Sequence, residues 1–429
     1  MASFIVYGDA SGQVTVAAPA VAGSNTITFP AETGTLITSA TTGVALPGQI
    51  AWNTTVQTTG FTAVAYGGYF CNTTSAAFTV TLPATPTRGQ FVVIVDYAGT
   101  AATNNITVNP NGGKIRGTSS NILLQTNRQG LTFTYIDSTQ GWLATSNVYG
   151  GSTPFINAPY NISYLAIAGG GAGGWNNGGG GGAGGYLTGT LTFAVGTTYT
   201  MTVGAGGTSS SNSQPAANRN GNNSSISGGS ISTVTCVAGG GGGSATPNGP
   251  GASGGSGGGG GNGDTTGSGG SGTPGQGYAG GATGGTTNRG GGGGGGSGGA
   301  APNATPSAAS PGGVSTASSI TGTPADYAGG GGGGAGNAPR GFGGGGGAGD
   351  GGTTPAGSGG SATANTGSGG GGSGGGAPGA QSGGSGGSGV IILSIPTASY
   401  SGTTTGSPTV TTSGSNTILK YTASGTYTA

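Results

Sequence analysis

Apolar and hydroxyl-bearing positions alternate through several short stretches in the first third of the chain. Phe78, Val80 and Leu82 are separated by Thr79 and Thr81, and Leu131, Phe133 and Tyr135 by Thr132 and Thr134. A two-residue period sends alternate side chains to opposite faces, so these stretches predict half-buried β-strands. Residues 91–95 (FVVIV) form an unbroken apolar run that fits a strand buried on both faces. Turn chemistry separates the runs: TPTRG at 85–89, NPNGG at 109–113 and STQG at 138–141. No segment here has a 3.6-residue period with caps. Strands at this spacing predict one β-sandwich over residues 48–150.

Residues 1–47 have a different texture. QVTVAAP at 13–19 and NTITFPAETGTLIT at 25–38 read as short Thr/Val strands broken by Pro and Gly, with TTGVALPG at 41–48 as a linker. So short a segment cannot bury a core of its own, and chains of this size need help from oligomerisation. Closed symmetric assembly of identical copies is the economical solution, so a closed homo-oligomer organised by residues 1–150 is expected.

Near residue 168 the pattern changes again. Of the 112 glycines, 90 lie in residues 169–389 and only 17 in residues 1–150. Composition alone would make such a region low-complexity disorder. The glycines, however, come in runs separated by turn chemistry (ATPN, GDTT, TNR, NAPR, TTPA), and strand-like segments bracket and interrupt them. Those segments are ISYLAIA at 162–168, LTGTLTFAVGTTYTMTVG at 187–204, ISTVTCVA at 231–238 and VIILSIP at 390–396. An α-helix is disfavoured because each Gly costs up to ~1 kcal/mol relative to Ala. Collagen needs a strict Gly-X-Y period that the runs at 290–296 and 329–334 violate.

The remaining regular conformation is the extended helix with three residues per turn. It has no internal hydrogen bonds, so its backbone groups must be met by neighbours. Without side chains, such helices can pack into a raft. The fold class expected is therefore all-β plus polyglycine-II, with essentially no α-helix. Its parts are an N-terminal β-segment (1–47), a β-sandwich (48–150), a glycine-rich domain of packed helices framed by strands (151–396) and C-terminal strands (397–429). The glycine-poor break at 300–328 is expected to protrude as an excursion.

Composition narrows the chemistry. Eight Lys or Arg against seven Asp or Glu leave a net charge of +1 in 429 residues, too little to steer nucleic acid. The chain has no His, which excludes a Ser-His-Asp triad and histidine metal sites. GASGG at 251–255 matches the nucleophile-elbow pattern around Ser253, but that pattern needs a strand-turn-helix context and a His partner, which the chain lacks. The carboxylates are scattered, so no catalytic, metal or cofactor residues are expected. Cys71 and Cys236 fall in separate modules and are expected to be unpaired.

Several motifs carry a resemblance. NTITFPAETGTLITS at 25–39 resembles short β-repeats near the N-terminus of bacteriophage tail-fibre proteins. TLPATP, VDYAG, NNITVNPNG and KIRG, continued by LTFTYIDSTQGWLATS, resemble a fibre β-sandwich module, from whose pattern Cys71 departs. YLAIAGGGAGG at 164–174, GYLTGTLTFAVGTTYTMTVGAGG at 185–207 and GGSGVIILSIP at 386–396 are similar to the glycine-rich domain of phage tail fibres and adhesins. SNTILKYTASGTYTA at 415–429 resembles a strand that often precedes such domains, here at the end of the chain instead. The resemblance implies a trimeric virion tail fibre that docks on another tail or baseplate protein through its N-terminal region. It also implies attachment to a bacterial cell-surface receptor, a glycan or an outer-membrane protein, without catalysis. The alternative is a structural glycine-rich extracellular filament or matrix protein, and a binder of flat ice or carbohydrate surfaces is a third reading.

In a raft that consumes its own backbone, recognition falls to loops where larger side chains return. The receptor-binding candidates are Tyr278, Arg289, Tyr327, Arg340, Phe342 and Trp175, since aromatic and Arg side chains dominate binding hot spots. For Tyr327 and Phe342 the competing expectation is gap-filling where helices meet strands.

Overall fold

The computed structural model describes residues 3–7, 13–17, 49–147, 156–209, 211–212, 214–245, 249–263, 266–285, 289–337, 339–376 and 381–429. It divides into two units, Met1–Ala51 and Trp52–Ala429. In the first unit, strands Ser3–Tyr7 and Gln13–Ala17 pair antiparallel, with Ile5 opposite Thr15. The repeat at 25–39 and the linker at 41–48 lie outside the described residues.

The second unit begins with a sandwich of two five-stranded sheets. One runs in the order Gly141–Asn147, Gly130–Asp137, Phe91–Asp96, Gly67–Cys71, Ala51–Trp52. The other runs Ile156–Asn157, Ile122–Leu124, Ile106–Asn109, Phe78–Thr81, Phe61–Thr62, so its edge strand lies just past residue 150. The alternating residues meet between the sheets: Val80, Leu82, Leu131 and Phe133 are fully buried together with Val92, Ile94 and Trp142. Cys71 joins this core, and burial, helped by the nearby negative Asp96, pushes its thiol up to about 12.

A second pair of sheets frames the glycine-rich domain. The larger is antiparallel, in the order Tyr186–Phe193, Tyr160–Ile167, Val390–Pro396, Asn416–Tyr421, Thr409–Ser413. The smaller is Val234–Cys236, Ser224–Ser227, Thr198–Thr202, Gly425–Thr428. Ile391, Leu393 and Ile395 point into the core between these sheets, beside Tyr199, Met201, Tyr421 and Tyr427. Val390 and Ile392, one position out of phase, pack on the opposite face with Leu165, Ile167 and Ala183. The unbroken run VIILSIP is thus a strand covered on both sides. The segment 397–429 belongs to this framework, since its strands supply an inner position of the larger sheet and an edge of the smaller.

The glycine runs form a hydrogen-bonded raft, and residues 178–185 show its rule. Gly178, Gly181 and Gly184 donate to Ser373, Gly370 and Gly367; Gly179, Gly182 and Gly185 donate to Gly243, Gly240 and Val237; Gly180 and Ala183 donate to Gly292 and Gly295. Every third amide returns to the same neighbour, as a helix of three residues per turn requires. The carbonyls of the same segment accept from three further segments, around Gly171–Gly174, Gly331–Gly334 and Ser256–Gly259. One segment is therefore bonded to six others, three through its donors and three through its acceptors. A Cβ built at Gly179, Gly180 or Gly181 would run into the carbonyl oxygen of Gly259, Gly331 or Gly171. Ala183 in the same segment is tolerated because its methyl faces the apolar side of the larger sheet.

The expected excursion at 300–328 is corrected by this packing. Ala301 and Ala304 donate to Ala279 and Ala282, and Ser310 and Gly313 donate to Gly291 and Gly294. Only interior segments need Gly on every side. Pro, Ala and Ser adopt the same extended φ at the raft edge, where a side chain can point outward. The segment then folds back as a hairpin, Thr316–Ser318 with Ala325–Tyr327.

Candidate binding surface at the far end of the raft

The chain enters the raft from strand Tyr160–Ile167 and returns into strand Tyr186–Phe193, so the turn 175–177 marks the raft end remote from the sheets. Seven residues at ~3.1 Å each place that end roughly 20 Å away. Segments 237–244, 256–262, 329–336 and 367–375 run towards it, antiparallel to 178–185, and Arg289 begins a segment that runs back from it.

Polar side chains appear where the glycine runs end. The Ser244 hydroxyl accepts from the Trp175 amide at 3.1 Å, and the Ser373 hydroxyl accepts from the Asn176 amide at 2.8 Å. The Asn262 amide donates to the Asn177 carbonyl at 3.0 Å. Asn176 and Asn177 both take φ of 51°, a left-handed conformation that Asn tolerates better than most residues. These contacts pin the turn so that Trp175, Asn176 and Asn177 line a cleft of about 450 Å³ with Arg289, Gly336, Asn337 and the pair Gly375–Gly376.

Trp175 and Arg289, 114 residues apart, are thus brought to one cleft. Arg340 and Phe342 form a second group on a raft edge. The Arg340 guanidinium lies 5.3 Å from the Phe342 ring centroid and 3.2 Å from a carboxylate oxygen of Asp350. Phe342 is 60% exposed and fills no gap. Tyr278 is also exposed and lines a separate groove of about 550 Å³ with Tyr186, Gln276 and Thr316.

Tyr327 is the exception among the six. It is 5% exposed and packed with Leu165, Ile167 and Val390, so it fills the junction between hairpin, raft and sheet. It is withdrawn as a surface contact. Asn176, Asn177 and Asn337 were missed by the sequence reading. The one local signal was an Asn-Asn pair between glycine runs, which marks a turn and says nothing of a cleft.

One buried cation has a structural task. Arg219 is 1% exposed; its Nε and Nη2 donate to the Gly242 carbonyl at 3.1 and 2.6 Å, and its Nη1 donates to the Gln214 carbonyl. Burial lowers its guanidinium to about 10. Cys71 and Cys236 are both free and buried, and the Cys236 thiol donates to the Ala166 carbonyl at 3.1 Å.

The sequence model of a family described as "Glycine-rich domain" matches residues 145–396, more than half of the chain, and the protein belongs to that family. No curated protein matches the sequence.

Proposed function

We propose that this member of the glycine-rich domain family is a non-catalytic attachment protein of a bacteriophage tail fibre, carried on the virion, that binds a bacterial cell surface. The observation that carries the reading is the division of labour in the raft. Its interior glycine segments bond to neighbours on all sides, while Trp175, Arg289 and three Asn residues gather at a cleft on its far end. A rigid platform that displays aromatic and Arg side chains at its tip suits recognition, because little ordering remains to be done on binding. The lack of His and the near-zero net charge favour contact by shape and hydrogen bonding over catalysis or long-range steering. In this reading residues 1–150 form a homotrimeric shaft and dock on another tail or baseplate protein.

Binding of the fluorescently labelled full-length protein to a panel of bacteria tests the attachment reading. At least one strain should be decorated, and a variant carrying Trp175→Ala, Arg289→Ser and Asn337→Ala should lose most of that binding while its melting temperature holds. Decoration that survives the triple variant would move recognition to the Tyr278 groove or the Arg340–Phe342 edge. Sedimentation at micromolar concentration tests the trimer, and a stable full-length monomer rules it out. Indefinite filaments in electron micrographs would favour the matrix reading.

A further inference from the structure

The far cleft has a feature that its role as a raft end does not require. Among the described residues, four buried side-chain polar atoms lack a hydrogen-bond partner: Trp175 Nε1, Asn177 Oδ1, Asn262 Oδ1 and Ser256 Oγ. Three belong to the raft end, and two belong to residues that line the cleft. Asn177 is 5% exposed, with its Oδ1 against the Cα of Gly375, itself a lining residue. Other polar groups described at this end are met: Ser244 and Ser373 cap the turn amides, and Asn262 Nδ2 donates to the Gly285 carbonyl. Leaving a buried donor and a buried acceptor unmet costs about 1–3 kcal/mol each. That cost is recovered if ligand groups meet these two atoms.

Resting on the attachment reading, we propose that this cleft is a subsite for a neutral sugar ring of a bacterial surface glycan. The two unmet atoms are one donor and one acceptor, and the hydroxyls of a sugar ring suit either, because a hydroxyl can accept from the indole N–H or donate to the amide oxygen. The half-buried indole of Trp175 offers an apolar plane beside them for the C–H face of the ring. Asn176 and Asn337 add amides that can both donate and accept, matching the neighbouring hydroxyls of the same ring. No Asp or Glu lines the cleft among the described residues, and the volume of about 450 Å³ suits one or two rings. Arg289 also lines the cleft, but the unmet Asn177 oxygen calls for a donor, which a hydroxyl supplies and a carboxylate does not.

The test uses the full-length protein on an array of neutral and uronic-acid-bearing bacterial oligosaccharides, with indole N–H resonances followed by NMR in parallel. The chain has three Trp, so Trp175→Phe assigns the resonance. A neutral oligosaccharide should bind and shift the Trp175 signal. Trp175→Phe keeps a ring but removes the donor, and Asn177→Gly removes the acceptor while suiting the positive φ. Each should weaken binding about tenfold without lowering the melting temperature, since each also removes an unmet polar atom from the free protein. The indole shift in the native protein decides the matter even if a variant folds poorly. No array binding and no shift at millimolar sugar would mean that ordered water meets these atoms, and the proposal fails. Binding of acidic glycans alone overturns the neutral class. Cell decoration separates the two readings: cells bound without any neutral sugar sink the sugar assignment and leave attachment standing. Sugar bound through Trp175 without decoration of any cell does the reverse.

Discussion

The hydroxyls of Tyr160 and Tyr427 meet at 2.8 Å, joining the first strand of the glycine-rich domain to the last strand of the chain across 267 positions. Around them Tyr427 lies 6.0 Å from Tyr400 and 6.2 Å from Phe193, ring centroid to ring centroid, and is fully buried. The family match ends at residue 396, yet the core that frames the raft is completed by Leu419, Tyr421 and Tyr427 beyond it. A chain cut after residue 396 is therefore expected to lose the cooperative melting of the glycine-rich domain. Tyr427→Phe, which removes this bond together with the longer ones its hydroxyl makes to the Ser401 amide and the Ser399 carbonyl, should cost about 1–2 kcal/mol. Calorimetry of both variants checks this; a truncated chain that melts like the native protein would show the frame to be independent of its last strands.

Glycine substitutions should sort by position in the raft and not by helix propensity. Gly181→Ala drives a methyl into the Gly171 carbonyl, where backbone on both sides must move, and should cost 3 kcal/mol or more, at or above the upper end of the about 1–3 kcal/mol of ordinary overpacking. Gly299→Ala meets only the Val314 Cγ2 at 3.2 Å, and the reduced freedom of the unfolded chain should bring it to within about 0.5 kcal/mol of neutral. Denaturant melts of the two variants give the comparison directly.

Tyr327 and Phe342 were alike in sequence context and should separate cleanly in stability. Tyr327→Ser empties a junction between hairpin, raft and sheet and should cost about 3–5 kcal/mol. Phe342→Ser should leave melting nearly unchanged, because the ring is largely in solvent and touches chiefly the Arg340 guanidinium. Equal effects from the two would contradict the burial described.

Arg219→Met is expected to destabilise the domain by about 2–4 kcal/mol, since it leaves the Gly242 and Gln214 carbonyls without their charged donor. Arg219→Lys should recover little, because an ammonium cannot reproduce the planar fork that reaches both carbonyls. Thermal melts of the two variants against the native protein decide it.

Stability should fall on the alkaline side. Burial raises both thiols from 9.0 to about 12, and it also raises the hydroxyls of Tyr160 and Tyr421. Each group is neutral in the folded chain while its unfolded counterpart has begun to ionise. Above about pH 9 the unfolded state therefore binds fewer protons, and stability drops as pH rises, with a slope of about 1.4 kcal/mol per pH unit for each group in that window. With no His in the chain, histidine adds no titration between pH 6 and 8. Melting followed from pH 7 to 11 should be flat at first and then decline. A Cys71→Ala, Cys236→Ala double variant should decline less steeply between pH 9 and 10.

Much of this architecture was written locally. The two-residue period of 78–82 and 131–135 named strands and their inward faces, because strand geometry alone sets that period. The glycine runs specified extended helices with three residues per turn, since no other regular structure accepts them and their amides need outside partners. Partner choice is another matter. Which carbonyl receives the Gly181 amide is decided by packing, because one glycine run is chemically the same as the next. The segment 300–328 showed the limit: its Ala, Pro and Ser read as a departure from the raft, but at an edge they fit the same conformation. Residue type also could not say whether an aromatic lies in the core or on the surface, and only the packed hairpin buried Tyr327. Trp175, Arg289 and Asn337 are far apart in the chain and came together because the glycine segments that carry them end or begin at the same end of the raft, a relation that exists only once they are stacked.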